Sequence, residues 1–126
     1  MDVSKSRSFD ELYALLKLDR KQSPWSKEQT LQSRYKELVG EIKELGEALA
    51  GSDSRHTREE LADVFWDAFA LLVLFEESSP GYSSKMLEEV IEKYHRRKPW
   101  IRAGKSVTAD EEVRIWKEMK AKEKQS

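Results

Sequence analysis

Apolar residues along this chain recur at spacings of three and four, and no stretch alternates with a period of two, so the pattern predicts helices throughout. Five are expected. The first covers about residues 9–18, with Ser8 as N-cap and Glu11 as its reciprocal partner. A loop containing Ser23-Pro24-Trp25 follows. The second helix covers about residues 27–50, opened by a capping box of Ser26 and Gln29 and stopped by Gly51. Leu38, Ile42, Leu45 and Leu49 are its expected buried stripe. The third, about residues 55–77, carries a broad seam of Leu61, Val64, Phe65, Ala68, Leu71, Leu72 and Phe75. The fourth, about residues 84–98, packs Leu87, Val90, Ile91 and Tyr94 and ends at Pro99. Residues 101–107 read as loop. Thr108 and Glu111 then cap a fifth helix with Val113, Trp116 and Met119, frayed from Ala121 onward.

The third helix also carries Trp66, Phe69, Ala70, Val73 and Leu74 on its other faces. A helix that is apolar all round must be covered all round, and a chain of 126 residues has little else to cover it with. The expected fold is therefore all-α, a helical bundle of about five helices completed by homo-oligomerisation. It is expected to form one domain over residues 1–126, with its core at about residues 9–120.

Composition narrows the chemistry. The absence of cysteine removes disulfides, thiolate metal ligands and a cysteine nucleophile. A formal net charge of −1 gives no basic field, so no nucleic-acid partner is expected. Residues 1–16 lack the apolar core of a signal peptide. The longest apolar run, residues 68–75, falls far short of the roughly 18–20 residues of a membrane span. A cytoplasmic protein without a membrane partner is expected.

Acidic residues supply the candidate site. Glu41-x-x-Glu44 lies on the second helix and Glu60-x-x-Asp63 on the third, and a spacing of three puts each pair on one helix face. The short connection through Gly51 makes the two helices antiparallel neighbours, so the pairs can face each other. Asp67 extends the stripe by one turn. Acids brought together this way are either protonated or neutralised by cations, and a hard divalent ion such as magnesium suits oxygen ligands. The plain alternatives are a solvated acidic face, and a capping box of Thr57 with Glu60.

The spacing E-x-x-E, fifteen residues, E-x-x-D resembles the signature of the all-α nucleoside triphosphate pyrophosphohydrolases, which include the MazG, dimeric dUTPase and phosphoribosyl-ATP pyrophosphohydrolase groups. Three further stretches are similar to MazG in particular. Residues 23–30, SPWSKEQT, resemble C-P-W-D-x-x-Q-T, and residues 93–101, KYHRRKPWI, resemble K-x-x-R-R-H-P-H-V-F. Glu112, Trp116 and Lys120, spaced E-x-x-x-W-x-x-x-K, resemble the family's closing glutamate–tryptophan–lysine element. The chain departs from these patterns at Ser23, Ser26, Gly40, Lys98 and Trp100, which leaves the preferred base open.

The resemblance implies that Glu41, Glu44, Glu60 and Asp63 hold magnesium, with manganese as a substitute. It implies that Lys93, Arg96 and Arg97 contact the triphosphate of a nucleoside triphosphate substrate. Trp116 and Lys120 would contact base or phosphate, although a tryptophan at helical spacing from Val113 and Met119 is more often core than a base-stacking platform. Arg96 and Arg97 also sit where a helix C-terminus favours cations. Trp25 reads as a lid residue or a packing anchor, and His56 and His95 as exposed.

The expected reaction is attack of water between the α- and β-phosphates, yielding nucleoside monophosphate and pyrophosphate, with Glu44 as the catalytic residue orienting or deprotonating the water. A homodimer or a dimer-of-dimers tetramer and a house-cleaning or nucleotide-pool role are implied by the same likeness. The competing readings are an enzyme for dUTP or phosphoribosyl-ATP, and a non-catalytic helical dimerisation module.

Overall fold

The computed structural model describes residues 3–125, and every regular element among them is helical. Seven helices occur: α1 (Val3–Gln22), α2 (Pro24–Lys27), α3 (Leu31–Ala50), α4 (Ser54–Phe75), α5 (Tyr82–Arg97), α6 (Pro99–Ala103) and α7 (Ala109–Gln125). They fall into two compact units, one ending at Pro80 and one beginning at Gly81.

The five expected helices are all present, and the two extra ones are short turns beside prolines. Ser23 caps α2 by accepting from the Ser26 backbone N–H at 3.2 Å, and Pro24 occupies the first helical position, where a missing N–H costs nothing. Ser26 is therefore inside α2 rather than a cap. The next helix begins at Leu31, where Thr30 and Ser33 exchange side-chain and backbone bonds of 2.8 and 3.1 Å. Ser8 is likewise no cap: its hydroxyl donates to the Ser4 carbonyl at 3.0 Å within an α1 that starts earlier than the pattern indicated. The Thr57–Glu60 capping box is also absent, because Asp53 caps α4 and the Thr57 hydroxyl donates to the Ala48 carbonyl at 3.3 Å. The Thr108–Glu111 box is present, with bonds of 3.1 and 3.4 Å. Residues from Ala121 to Gln125 continue α7 rather than fraying, and Ser126 lies outside the described residues.

Within the first unit, α1 and α4 enclose a small core of Leu16, Ala70 and Val73, flanked by Leu12, Tyr13, Trp66 and Phe69. Phe9 meets Phe69 edge-on at 6.1 Å. The buried face of α4 is thus largely the one for which a partner subunit was expected, and a 20-residue α1 of the same chain covers it instead. The expected seam is left more open, with Phe65 51% exposed. On α3 the expected stripe is also displaced, since Ile42 is 51% and Leu49 65% exposed.

The inward positions of α3 are Arg34, Leu38, Glu41, Leu45 and Ala48. Those of α4 that match them are Glu60, Val64, Asp67, Leu71 and Leu74. Both sets follow the alternating four-and-three spacing of a helix–helix seam. The two helices pair with each other more extensively than any other two. Charged residues therefore occupy two layers of an otherwise apolar interface.

In the second unit, Gly81 opens α5 from the left-handed region, at φ 80°, where glycine lacks the side-chain clash. Pro99 ends α5, as expected, and starts α6. Residues 101–103 continue that short helix, where the sequence pattern indicated loop. Salt bridges of Arg97 to Glu123 at 2.9 Å and Lys98 to Glu112 at 3.0 Å tie α5 and its end to α7.

Candidate metal centre

The two charged layers of the α3–α4 seam differ in one respect, their balance. The first contains Arg34 and Asp67. Arg34 is only 4% exposed, and its guanidinium lies 3.7 Å from Asp67, 3.4 Å from Asp19 and 3.2 Å from the Ser26 hydroxyl. Its guanidinium carbon lies over the Trp25 ring, 4.8 Å from the centroid. Arg20 closes the same region by donating to the Ser26 carbonyl and, at 3.1 Å, to that of Gln29. Burial raises the Asp67 pKa, and Arg34 opposes that rise. A cation is built into this layer.

The second layer has none. Carboxylate oxygens of Glu41, Glu60 and Asp63 lie within 4.8 Å of one another. One oxygen of Glu41 and one of Glu60 are buried without a hydrogen-bond partner. Burial, followed by the approach of Glu60 and the charges of Glu44 and Asp63, pushes the Glu41 carboxyl up to about 7. Glu44 adjoins Glu41 but stands outside the three-residue group. The imidazole of His56 lies 3.5 Å from Glu60, one turn away on α4.

Orphaned, buried carboxylate oxygens are costly unless a proton or cation satisfies them. Oxygens around a magnesium ion sit about 2.9–4.2 Å apart, so this group must draw closer together to surround one. The three gathered donors are all oxygen, which fits a hard divalent ion better than zinc. Among the expected ligands, then, Glu41, Glu60 and Asp63 are gathered, and Glu44 stands beside them.

The expected substrate-contacting residues belong to the second unit. Arg97 is forked onto Glu123, which Arg96 also reaches at 3.1 Å. These two arginines hold the Glu123 pKa down to about 2. Arg96 and Glu123 line a cavity of about 520 Å³ with Met119 and Lys122. Trp116 is 43% exposed rather than core, with the Lys120 ammonium 5.3 Å from its ring centroid. Lys93 lies against Tyr94, at 5.9 Å.

Arg34 and Glu123 were not picked out by sequence reasoning. The signal for Arg34 was its place four residues before Leu38 and seven before Glu41, on the inward face of α3. Glu123 carries no local signal, since its meaning depends on α7 packing against α5. Trp25, half exposed, touches Arg34 with its ring, and Asp67 is the acid that Arg34 neutralises.

Residues 29–102 match the MazG nucleotide pyrophosphohydrolase domain. The chain is 34% identical over 118 residues to a nucleoside triphosphate pyrophosphohydrolase of Mycolicibacterium smegmatis, which covers 88% of this chain and 35% of that protein. It is 26% identical over 125 residues to the protein of the same description from Mycobacterium tuberculosis, covering 98% of this chain and 38% of the relative. The chain thus spans little more than a third of the length of these relatives. Its fold matches the crystal structure of a mazG-related protein from Thermotoga maritima with a TM-score of 0.83 and 26% identity, over 89% of this chain and 98% of the other.

Proposed function

This chain belongs to the MazG nucleotide pyrophosphohydrolase family, and from that premise we propose that it hydrolyses nucleoside triphosphates to nucleoside monophosphate and pyrophosphate with a magnesium ion held by Glu41, Glu60 and Asp63. The observation that carries the reading is the unbalanced layer of the α3–α4 seam. Glu41 and Glu60, half-buried with one oxygen each unsatisfied, meet the exposed Asp63 at the edge of the helix interface, two turns away from a layer that carries its own arginine. Glu44 completes the proposed ligand set from the adjacent turn of α3.

Magnesium at this position would neutralise phosphate oxygens and acidify an attacking water. Glu44 is proposed to accept the proton of that water and to fix its direction toward the α-phosphorus. Lys93, Arg96 and Arg97 supply the donors proposed to meet the polyphosphate, arginine as a fork and lysine as a point charge. Cations there favour departure of pyrophosphate as its charge develops. Trp116, half open and next to Lys120, offers an aromatic face to a base. A role in clearing aberrant nucleotides or setting nucleotide pools follows from the same reading.

Homodimerisation, with pairing of dimers as an extension, is part of the proposal. The exposed Ile42, Leu49 and Phe65 leave apolar surface on α3 and α4, and burying such side chains drives association.

The test is incubation with each nucleoside and deoxynucleoside triphosphate plus magnesium. Pyrophosphate and monophosphate in equal amounts, lost on chelation, are expected, and selectivity for dUTP or phosphoribosyl-ATP would redirect the substrate assignment. Glu44→Gln is expected to abolish turnover with the helical signal unchanged. A folded protein inert to every nucleotide would favour the non-catalytic module.

A further inference from the structure

We propose that Arg34 and Asp67 form a register pin for the α3–α4 seam, positioning Glu41 opposite Glu60 so that the carboxylates can share one cation. The inference rests on the reading of Glu41, Glu60 and Asp63 as a metal centre and assigns a positioning role to two residues outside it.

The geometry follows from spacing. Glu41 comes seven residues after Arg34 on α3, and Asp67 comes seven residues after Glu60 on α4. In an antiparallel pair these separations run in opposite directions, so the contact of Arg34 with Asp67 brings Glu41 level with Glu60. Seven residues span about 10.5 Å, two turns, and return to the same helix face. The 3.7 Å ion pair and the gathered carboxylates are thus two consequences of one register.

Alternative registers are penalised by the same residues. A slip of three or four positions sets the buried guanidinium against Val64 or Leu71, leaving Asp67 desolvated and without its cation while Arg34 keeps only Asp19. A slip of seven in one direction pairs Arg34 with Glu60 and removes that acid from the cluster. Apolar residues alone would discriminate weakly among these, because leucine, valine and alanine pack acceptably at several offsets. A single buried polar pair is a known means of fixing helix register at some cost in stability. Arg34 is itself held from outside the seam by Asp19 of α1, Ser26 of α2 and the ring of Trp25. The pin is therefore anchored to the rest of the first unit, and the Trp25 segment acts on the metal centre through it.

The discriminating experiment replaces the pair by apolar residues of similar size, R34M with D67L, in the full chain. Urea denaturation and manganese binding by electron paramagnetic resonance are measured together. A merely structural pair predicts stability and metal affinity falling together or neither changing. The register role predicts that stability is kept or raised while manganese affinity falls by about 10- to 100-fold, the range found when groups orienting metal ligands are lost. R34K serves as the second variant, retaining the charge but losing the fork that reaches Asp19, Ser26 and Asp67 at once, and it is expected to weaken manganese binding by about tenfold. Unchanged affinity in either folded variant overturns the proposal while leaving the metal centre standing. Absence of manganese binding in the unmodified protein, or binding that survives Glu60→Gln, overturns the metal centre itself and the pin with it.

Discussion

Divalent-ion binding to this protein is expected to release a proton from Glu41, and the size of the effect follows from the site. The carboxyl is pushed up to about 7 by burial and by Glu60, Glu44 and Asp63. In the metal-free protein it is therefore about 90% protonated at pH 6, half protonated at pH 7 and about 10% protonated at pH 8. An ion bound among the three acids requires the ionised form, so each binding event at pH 6 should expel about 0.9 proton and at pH 8 about 0.1. The apparent affinity should rise about tenfold from pH 6 to pH 8, equivalent to about 1.4 kcal/mol, with most of the change below pH 7. Titration calorimetry in two buffers of different ionisation enthalpy measures the proton count directly at each pH. Binding with no proton release at pH 6, and an affinity flat across the range, would refute the argument that these acids crowd one another.

Because the folded-state pKa of Glu41 lies above its unfolded value, metal-free stability is greatest below about pH 4.5 on this group's account and falls as pH rises through 7. Glu41→Gln should therefore stabilise the metal-free protein at pH 8, by about 1–2 kcal/mol after allowing for solvent screening, while abolishing metal binding; a lower unfolding midpoint would contradict this. Arg34→Met alone strands Asp67, which is 7% exposed, and is expected to cost about 3–5 kcal/mol in urea denaturation, with more than half recovered on adding Asp67→Asn. Glu123→Gln releases Arg96 and Arg97 and should tighten binding of inorganic triphosphate by roughly threefold, whereas weaker binding would make Glu123 a support that aligns the two forks. Leu49→Glu places a charge on the exposed apolar face of α3 and should shift the species seen by light scattering from dimer to monomer; a monomeric unmodified protein would remove the assembly proposal.

Helix content was legible because period and punctuation agreed: Gly51, Pro99 and the Thr108–Glu111 box each mark an end that the structure keeps. The acidic pairs were legible because a spacing of three on neighbouring helices leaves few placements. What the pattern misassigned was facing. Ile42 and Leu49 read as buried because apolar residues were sought on the inward side, whereas the seam runs through Arg34, Glu41 and Ala48 and accepts charge. On α4, with apolar residues on every side, periodicity could not choose the face that α1 covers. Ser8 and Ser26 were misread as caps for a related reason. A serine followed three residues later by glutamate or glutamine fits a helix start, but equally fits a hydroxyl bonded one turn back or inside a short turn.

Cleavage between the α- and β-phosphates of a nucleoside triphosphate at the unbalanced acidic layer leaves a definite product pair, which a phosphorus-31 NMR time course with deoxynucleoside triphosphate and magnesium resolves. Monophosphate and pyrophosphate are expected to appear at equal rates, with both signals absent for Glu60→Gln and after chelation. Diphosphate with orthophosphate, or product formation indifferent to chelation, would contradict it.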